Sequence, residues 1–457
     1  MLDDRTREAI FSVRSDAAAR GIDATLSLHR ERSHLMRIGN NSVSLSTSEA
    51  LTRLDVEVTN GRRQGSHTHL GPISSADDVA AALRLAETKA QVATPKDYDP
   101  IVGVVDVPVD ESNQHDGALA SLDPAIKADV YGEIISTVGD GYNFSGSWSS
   151  GLTEVYVVTT ANANEAWHAG TDQAFSIVLK HPEQKWELRH QQTGWRAGDV
   201  SAGPTIDYFR SLLPVYEGND GFLVEPGPYT VILGAEAVAE ILGMATWTGL
   251  FGRFWEEKRG WTSDKQVGDS ILGANVTLDD DPSNPQTFGF GFDGYGRRRR
   301  RFALVDGGNL AGLAYDASSA GKYGKAPTGH DLDSWSMVMK PGDGPADPLE
   351  AVADMGRVLY IPALHYVHIP NPSQGVFTGS SRFSAVLVED GAITRPIFSS
   401  RITDAFENVL QDVAVISGVS RSVNESNTYG RRAPIASSLP EYLVATEVKI
   451  TDCAESF

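Results

Sequence analysis

The sequence is short of several things, and each shortage closes off a class of function. A single cysteine, Cys453, among 457 residues rules out an internal disulfide and fits a reducing compartment, where a lone exposed thiol is incidental. No apolar stretch reaches the roughly 18 residues a membrane-crossing helix needs, so no membrane span is expected. The opening residues MLDDRTREAIF are acidic and hold no apolar core of a secretory signal, which makes a cytoplasmic location the expectation. Basic residues are in deficit, 39 against 60 acidic, and the net charge of -21 repels nucleic acid and anionic membrane at long range. There is no G-x-S-x-G elbow, P-loop, C-x-x-C pair or EF-hand loop. None of the 11 histidines is followed by glutamate, so every zinc motif that begins His-Glu is absent.

What is present describes a packed soluble chain. Its length of 457 residues exceeds the roughly 250 to 300 at which one core stops growing, so two or three cores are expected. Arg5 to Ala19 sets Ile10, Phe11, Val13, Ala17 and Ala18 at helical spacing ahead of Gly21. Thr25 to Glu31 and Asp55 to Thr59 alternate apolar and polar residues and read as half-buried strands. Asn60-Gly61 predicts a type I′ hairpin, whose two central positions both need positive φ. Ser75 with Asp78 predicts a capping box before an alanine-rich helix, and Asp123-Pro124 a second helix start running to about Val138. From Asn143 the chain becomes short strands with turn signals, which predicts a large antiparallel sheet rather than βαβ units. Asp207 to Leu213 reads as a short helix, Asp306-Gly307-Gly308 as a turn between strands, and Thr403 to Val413 as a helix.

Four clusters invite chemistry. Gly289 to Gly294 satisfies G-x-G-x-x-G, but an Asp/Pro/Asn loop precedes it and arginines follow, so it reads as a glycine-rich turn and not a dinucleotide site. Arg297 to Arg301 would split between two faces of a strand and reads as a solvated or interface segment, ion-paired to Asp279 to Asp281 or to a partner. His365 and His368 stand three apart in an apolar strand and so face opposite sides and cannot share a metal unless a bulge intervenes, which puts packing first and a cleft-lining or partner-facing role second, ahead of metal ligation. His67 and His69 share a strand face but have no third metal ligand in view.

The stretch from Tyr229 to Trp261 decides the reading. Tyr229 to Leu233 is an apolar run closed by Gly234, and Ala235 to Leu250 places Val238, Ile241, Leu242 and Ala245 at helical spacing. This strand and helix resemble the segment of the TldD/PmbA family in which a strand ending Leu-Gly leads into a helix. In the TldD branch that helix carries His-Glu-x-x-x-His, two zinc-holding histidines and a general base. Laid on Leu233-Gly234, those positions fall on Gly243, Met244 and Thr248, so the helix presents none of the motif's catalytic groups. The resemblance is therefore to the PmbA/TldE branch. It extends to the hairpin at Val58, Gly61 and Gly65, to Asp293, and most specifically to Asn371-Pro372, Phe377-Thr378-Gly379 and the Glu389-Asp390-Gly391 turn.

The resemblance implies an α+β fold. An N-terminal α/β domain would span 1–140 and a β-rich C-terminal domain 141–457, the latter made of a central part 141–225, the strand and helix 226–262, and a last part 263–457. It also implies a heterodimer with a TldD-like paralogue around an enclosed chamber. Zinc would sit in that partner and none in this chain. The reaction implied is hydrolysis of peptide or amide bonds, including the maturation of peptide natural products. This chain would add chamber wall, interface and substrate contacts, with His365, Tyr366, His368 and Arg382 as the contacting candidates and no catalytic residue. Two other readings stay open: a homodimeric amide hydrolase in which His365, His368, His67 and His69 converge with a carboxylate, and a non-enzymatic binding module.

Overall fold

Period-two alternation in the first part of the chain builds one long, mainly antiparallel sheet. Its strands are β1 (Asp23–Gly39), β2 (Ser42–Asn60), β3 (Arg63–Leu70), β4 (Val109–Gln114), β5 (Asn143–Thr159), β6 (Glu165–Lys180) and β7 (Glu187–Gly194). They lie in the order β3-β2-β1-β5-β6, and the far edge of β6 is shared by β4, which runs parallel to it, and β7, which is antiparallel. The computed structural model describes residues 2–139, 141–330, 335–426, 432 and 435–455.

This sheet runs straight across the boundary expected at residue 140. β1 pairs with β5 continuously from Thr25 opposite Thr159 to Ile38 opposite Gly146. The change of texture at Asn143 marks the chain's return to the first sheet after the helix Pro124–Val138, because alternation reports a strand's face and not the sheet it joins. Turn chemistry differs from expectation as well. The β2–β3 loop is Gly61-Arg62, with positive φ at Gly61 alone, which is the II′ pattern. The both-positive pattern of type I′ falls on Asn40 and Asn41, φ 51 and 62, between β1 and β2.

Two helices cover one face of β1 to β3. Asp4–Ala19 contributes Ile10, Val13 and Ala17, and Ala76–Val92, opened by the expected Ser75 capping box, contributes Val79, Leu83 and Ala86. Gly65 lets the second helix come close, since a Cβ there would lie 2.1 Å from the Ala90 nitrogen. Two further helices, Pro124–Val138 and Ala202–Gly218, share a core with the β5–β6 end of the sheet and with a second sheet, through Tyr131, Trp148, Phe175 and Phe209 on one side and Ile232, Val358 and Tyr442 on the other. The helix expected over Asp207 to Leu213 is thus longer. Pro214 lies inside it between buried Leu212 and Tyr216, so packing carries the helix past a residue that local propensity would stop at.

The second sheet has nine strands and is centred on β8 (Gly227–Gly234), which pairs antiparallel with Tyr442–Cys453 and parallel with Arg357–Ile361. Beyond them lie His365–Asn371, Val376–Ser380 and Ser400–Ala405 on one side, and Val386–Glu389 and Ala392–Pro396 on the other. Ser400–Ala405 takes the first residues of the segment read as a helix, which shortens to Phe406–Gln411. Cys453 is half-buried against Ser400. A smaller six-stranded sheet, which includes Leu278–Asp280, Phe302–Asp306 and Ser420–Asn424, shares the largest core with the nine-stranded one. Gly307 and Gly308 make its expected turn with φ 54 and 77. The fold is α+β, as the sequence predicts. Among the described residues no helix is long and apolar enough to cross a membrane.

Candidate functional site

The site is built on the helix that leaves β8. Gly234 caps it, and a Cβ at that position would sit 2.6 Å from the Pro362 carbonyl oxygen, so only glycine lets the helix start hard against the next loop. The helix Ala235–Ala245 buries Val238, Ile241 and Leu242. Glu236, Glu240 and Gly243 are spaced i, i+4, i+7 and form the opposite stripe. The expected continuation to Leu250 is a π-turn, Thr246–Leu250. Trp261 explains the change: its indole N–H donates to the Ala245 carbonyl at 2.9 Å, which takes up the acceptor residue 249 would use in a regular α-helix.

Glu236 lines a polar cleft of about 510 Å³ with Ser149, His190, Gln192, Arg421 and Asn424. The far wall belongs to β5–β7 of the first sheet, so the cleft lies where the two halves of the fold meet. Arg421 pairs with Glu236 and reaches Glu441 at 4.0 Å. Burial pushes the His190 imidazole down to about 4, and its Nδ1 lies 2.9 Å from the Thr205 hydroxyl; it is a neutral ring at physiological pH. Past the cleft the helical stripe stays open to solvent at Glu240 and Gly243. Partial loss of solvation beside the cleft wall raises the Glu240 pKa against the pull of Arg189. Glu425 stands beside the stripe, its Oε1 4.0 Å from where a Gly243 Cβ would be. Although Glu425 is itself solvent-exposed, lost solvation from the groups packed around it pushes its carboxyl up to about 7 against the Ser437 hydroxyl, which donates to it at 2.9 Å. Chemically this row can hydrogen-bond a peptide backbone, hold a cationic group and carry a proton at Glu425.

Glu236 and Glu240 stand on this helix outside the three motif positions. Two glutamates at i, i+4 on an otherwise apolar helix are the sequence signal for them, and a reading tied to motif register passes over it. The three motif positions themselves do not fit zinc. Gly243 offers no ligand, Met244 packs against the core, and the buried Thr248 hydroxyl donates to the Met244 carbonyl at 2.8 Å. Among the described residues no three His, Cys, Asp or Glu side chains gather as metal ligands. His67 and His69 are on β3, with His69 Nε2 3.5 Å from the Pro72 carbonyl.

The four contacting candidates divide into two pairs. A bulge does fall between the strand histidines: His365 opposes Ser380, His368 opposes Thr378, and Tyr366 between them has φ 52. His365 lies 3.4 Å from Arg382 and edge-on to Phe383 at 5.4 Å. Arg382 pairs with Glu187 at 2.8 Å, and Arg189 covers Phe383 at 5.1 Å. Neither His365 nor Arg382 lines the cleft; Arg189, which covers Phe383, also couples electrostatically to Glu236 and Glu240. Burial, then Arg382 and Arg189, lower the His365 pKa. Tyr366 and His368 are exposed, and the His368 ring contacts only the Tyr366 carbonyl, at 3.1 Å.

The strand β8 and its helix thus lie beneath a cleft between the long first sheet and a β-rich half. Residues 226–450 match the PmbA/TldA metallopeptidase C-terminal domain, and the chain belongs to the TldD/PmbA family. Solved structures resemble it over its length. TldE from Thermococcus kodakarensis superposes with a TM-score of 0.80 at 16% identity, covering 97% of this chain and 100% of its own. A protein described as a modulator of DNA gyrase from Bacteroides thetaiotaomicron gives 0.77 at 17%, covering 99% and 100%. One of the same description from Thermotoga maritima gives 0.78 at 14%, covering 97% and 99%. At these identities the likeness is one of fold. No curated protein matches the sequence.

Proposed function

We propose that this chain is the TldE-like subunit of a cytoplasmic two-subunit metallopeptidase, paired with a TldD-like paralogue that carries the zinc. The observation that carries the reading is Gly243. It occupies the first position of a zinc motif, on the right helix after the right strand, yet it is a bare backbone beside Glu425. In the assembly this chain binds and orients an extended peptide or amide substrate, including precursors of peptide natural products. The Glu236–Arg421 pair, Gln192 and Asn424 offer hydrogen bonds along the cleft, and an extended substrate leaving it would meet His365 and Arg382. The metal, when bound in the partner, supplies the activated water. The reading as a homodimeric hydrolase needs the strand histidines to converge, and the described residues do not bring them together.

The test is peptide hydrolysis by the chain alone and by the chain mixed with its TldD-like neighbour. Turnover is expected only from the mixture, and turnover by the isolated chain would sink the proposal. Within the mixture His365→Ala is expected to lower kcat/KM about fivefold, the worth of one hydrogen bond of about 1 kcal/mol. His368→Ala should leave it within about twofold, because an exposed ring with one backbone contact has little to lose. Zinc content should stay unchanged in both.

A further inference from the structure

The five arginines of the sequence form no regular strand, and their neighbours neutralise most of them. Arg297 donates to the Val102 carbonyl at 2.7 Å, Arg298 pairs with Glu111 at 2.8 Å, and Arg301 with Asp279 at 2.8 Å. Arg299 is fully buried and forks onto both oxygens of Asp280 at 2.8 and 2.7 Å. Arg300 is exposed, with no hydrogen-bond or ion-pair partner among the described residues. Arg298, Arg299, Arg300 and Arg301 line one cavity of about 750 Å³, together with Trp195, Gln114 and Glu111, the carboxylate that Arg298 pairs with. The Nε of buried Arg299 also lacks a partner among the described residues.

This cavity adjoins the cleft. Pro285 and Trp195 line the cavity, whereas Gln286 and Thr193 line the cleft, so two short segments separate the spaces. We propose that the cavity is an anion subsite that takes a carboxylate of the bound peptide on Arg300, flanked by Arg298 and Arg301. Guanidinium forks match carboxylates in a bidentate way, and a chain of net charge -21 repels acidic peptides everywhere else. Trp195, whose ring already carries the Arg196 guanidinium at 4.2 Å, gives the peptide a flat apolar floor. The carboxylate can be an Asp or Glu side chain or the peptide's C-terminus. That the ligand is a peptide rests on the functional reading above; the cavity's preference for anions does not.

The experiment is fluorescence anisotropy of rhodamine-labelled decamers on the full isolated chain. The set comprises an amidated oligoglutamate, a neutral peptide with a free C-terminus, the same neutral peptide amidated, and oligothymidylate. The oligoglutamate, the free C-terminus or both are expected to bind in a salt-sensitive way, and which one binds names the source. Arg300→Glu, at an exposed position and with an unchanged unfolding midpoint, is expected to weaken that binding at least about tenfold, the worth of a charged hydrogen bond. Equal binding by wild type and Arg300→Glu overturns the proposal, as does equal binding of the neutral amidated peptide, or Arg300-dependent binding that favours oligothymidylate. The assay contains neither partner nor zinc, so its failure leaves the subunit reading untouched, and the reverse holds.

Discussion

Replacing Arg299 by methionine is expected to destabilise the fold by about 3–5 kcal/mol, the usual result of removing one partner from a buried ion pair. Both side chains of the Arg299–Asp280 pair are only 1% exposed. Without Arg299, Asp280 would keep only His330 at 3.1 Å and the Ser336 backbone N–H as partners for its charge. Burial by itself would push the Asp280 carboxyl up, but Arg299 and His330 outweigh it and hold it down to about 2. The sign with pH follows. A depressed carboxylate contributes stability that is present above its unfolded value near 3.8 and is lost as pH falls toward about 2. Urea unfolding should therefore show the wild type losing its advantage over Arg299→Met in that window. Adding Asp280→Asn to Arg299→Met should recover most of the loss at neutral pH; if the single and double variants unfold alike, charge pairing is not the cause. The pair anchors Leu278–Asp280 beneath the arginine-lined cavity, so the variant should also lose anion binding.

Glu425→Gln is expected to flatten a pH response centred near 7. Here the shift runs the other way, because lost solvation beside the packed helix raises the exposed carboxyl from 4.5 to about 7. Between those values the unfolded chain sheds its proton while the folded chain keeps it. Stability therefore declines as pH rises through the window, and the glutamine variant gains on the wild type above it. Binding responds in the opposite sense for a cationic peptide. From pH 6 to 8 a single group of pKa about 7 goes from roughly a tenth to nine tenths ionised, adding a negative charge beside Glu240. Affinity of the isolated chain for a lysine-rich peptide should rise up to about tenfold over that range, and Glu425→Gln should show no rise. A wild-type titration that is flat, or a variant that keeps the inflection, would remove Glu425 from the site.

Much of this architecture is legible in the residues. Strand β8, its glycine cap, the Ser75 capping box and the helix at Pro124 rest on local signals that tertiary packing leaves intact. The misreadings have one cause, which is that local pattern does not report the neighbour. Strand β2 keeps its pairing through Asn60, opposite Arg63, so its loop is Gly61-Arg62 and the type I′ pattern falls on Asn40-Asn41 instead. Alternation from Asn143 could not say that β5 returns to β1. Trp261, far along the chain, converts Thr246–Leu250 to a π-turn. At the site, the vacancy at Gly243, Met244 and Thr248 is plain from sequence. Glu236, Glu240, Glu425 and Arg421 come together only through the fold, and the bulge at Tyr366 decides which strand histidine is available.

The account is tested most directly by purifying this chain with and without its TldD-like neighbour, then measuring zinc by elemental analysis and the mass of each species. One zinc per mixed heterodimer, and none retained by the isolated chain after dialysis, is the expected result. Equimolar zinc held by the isolated chain would contradict it.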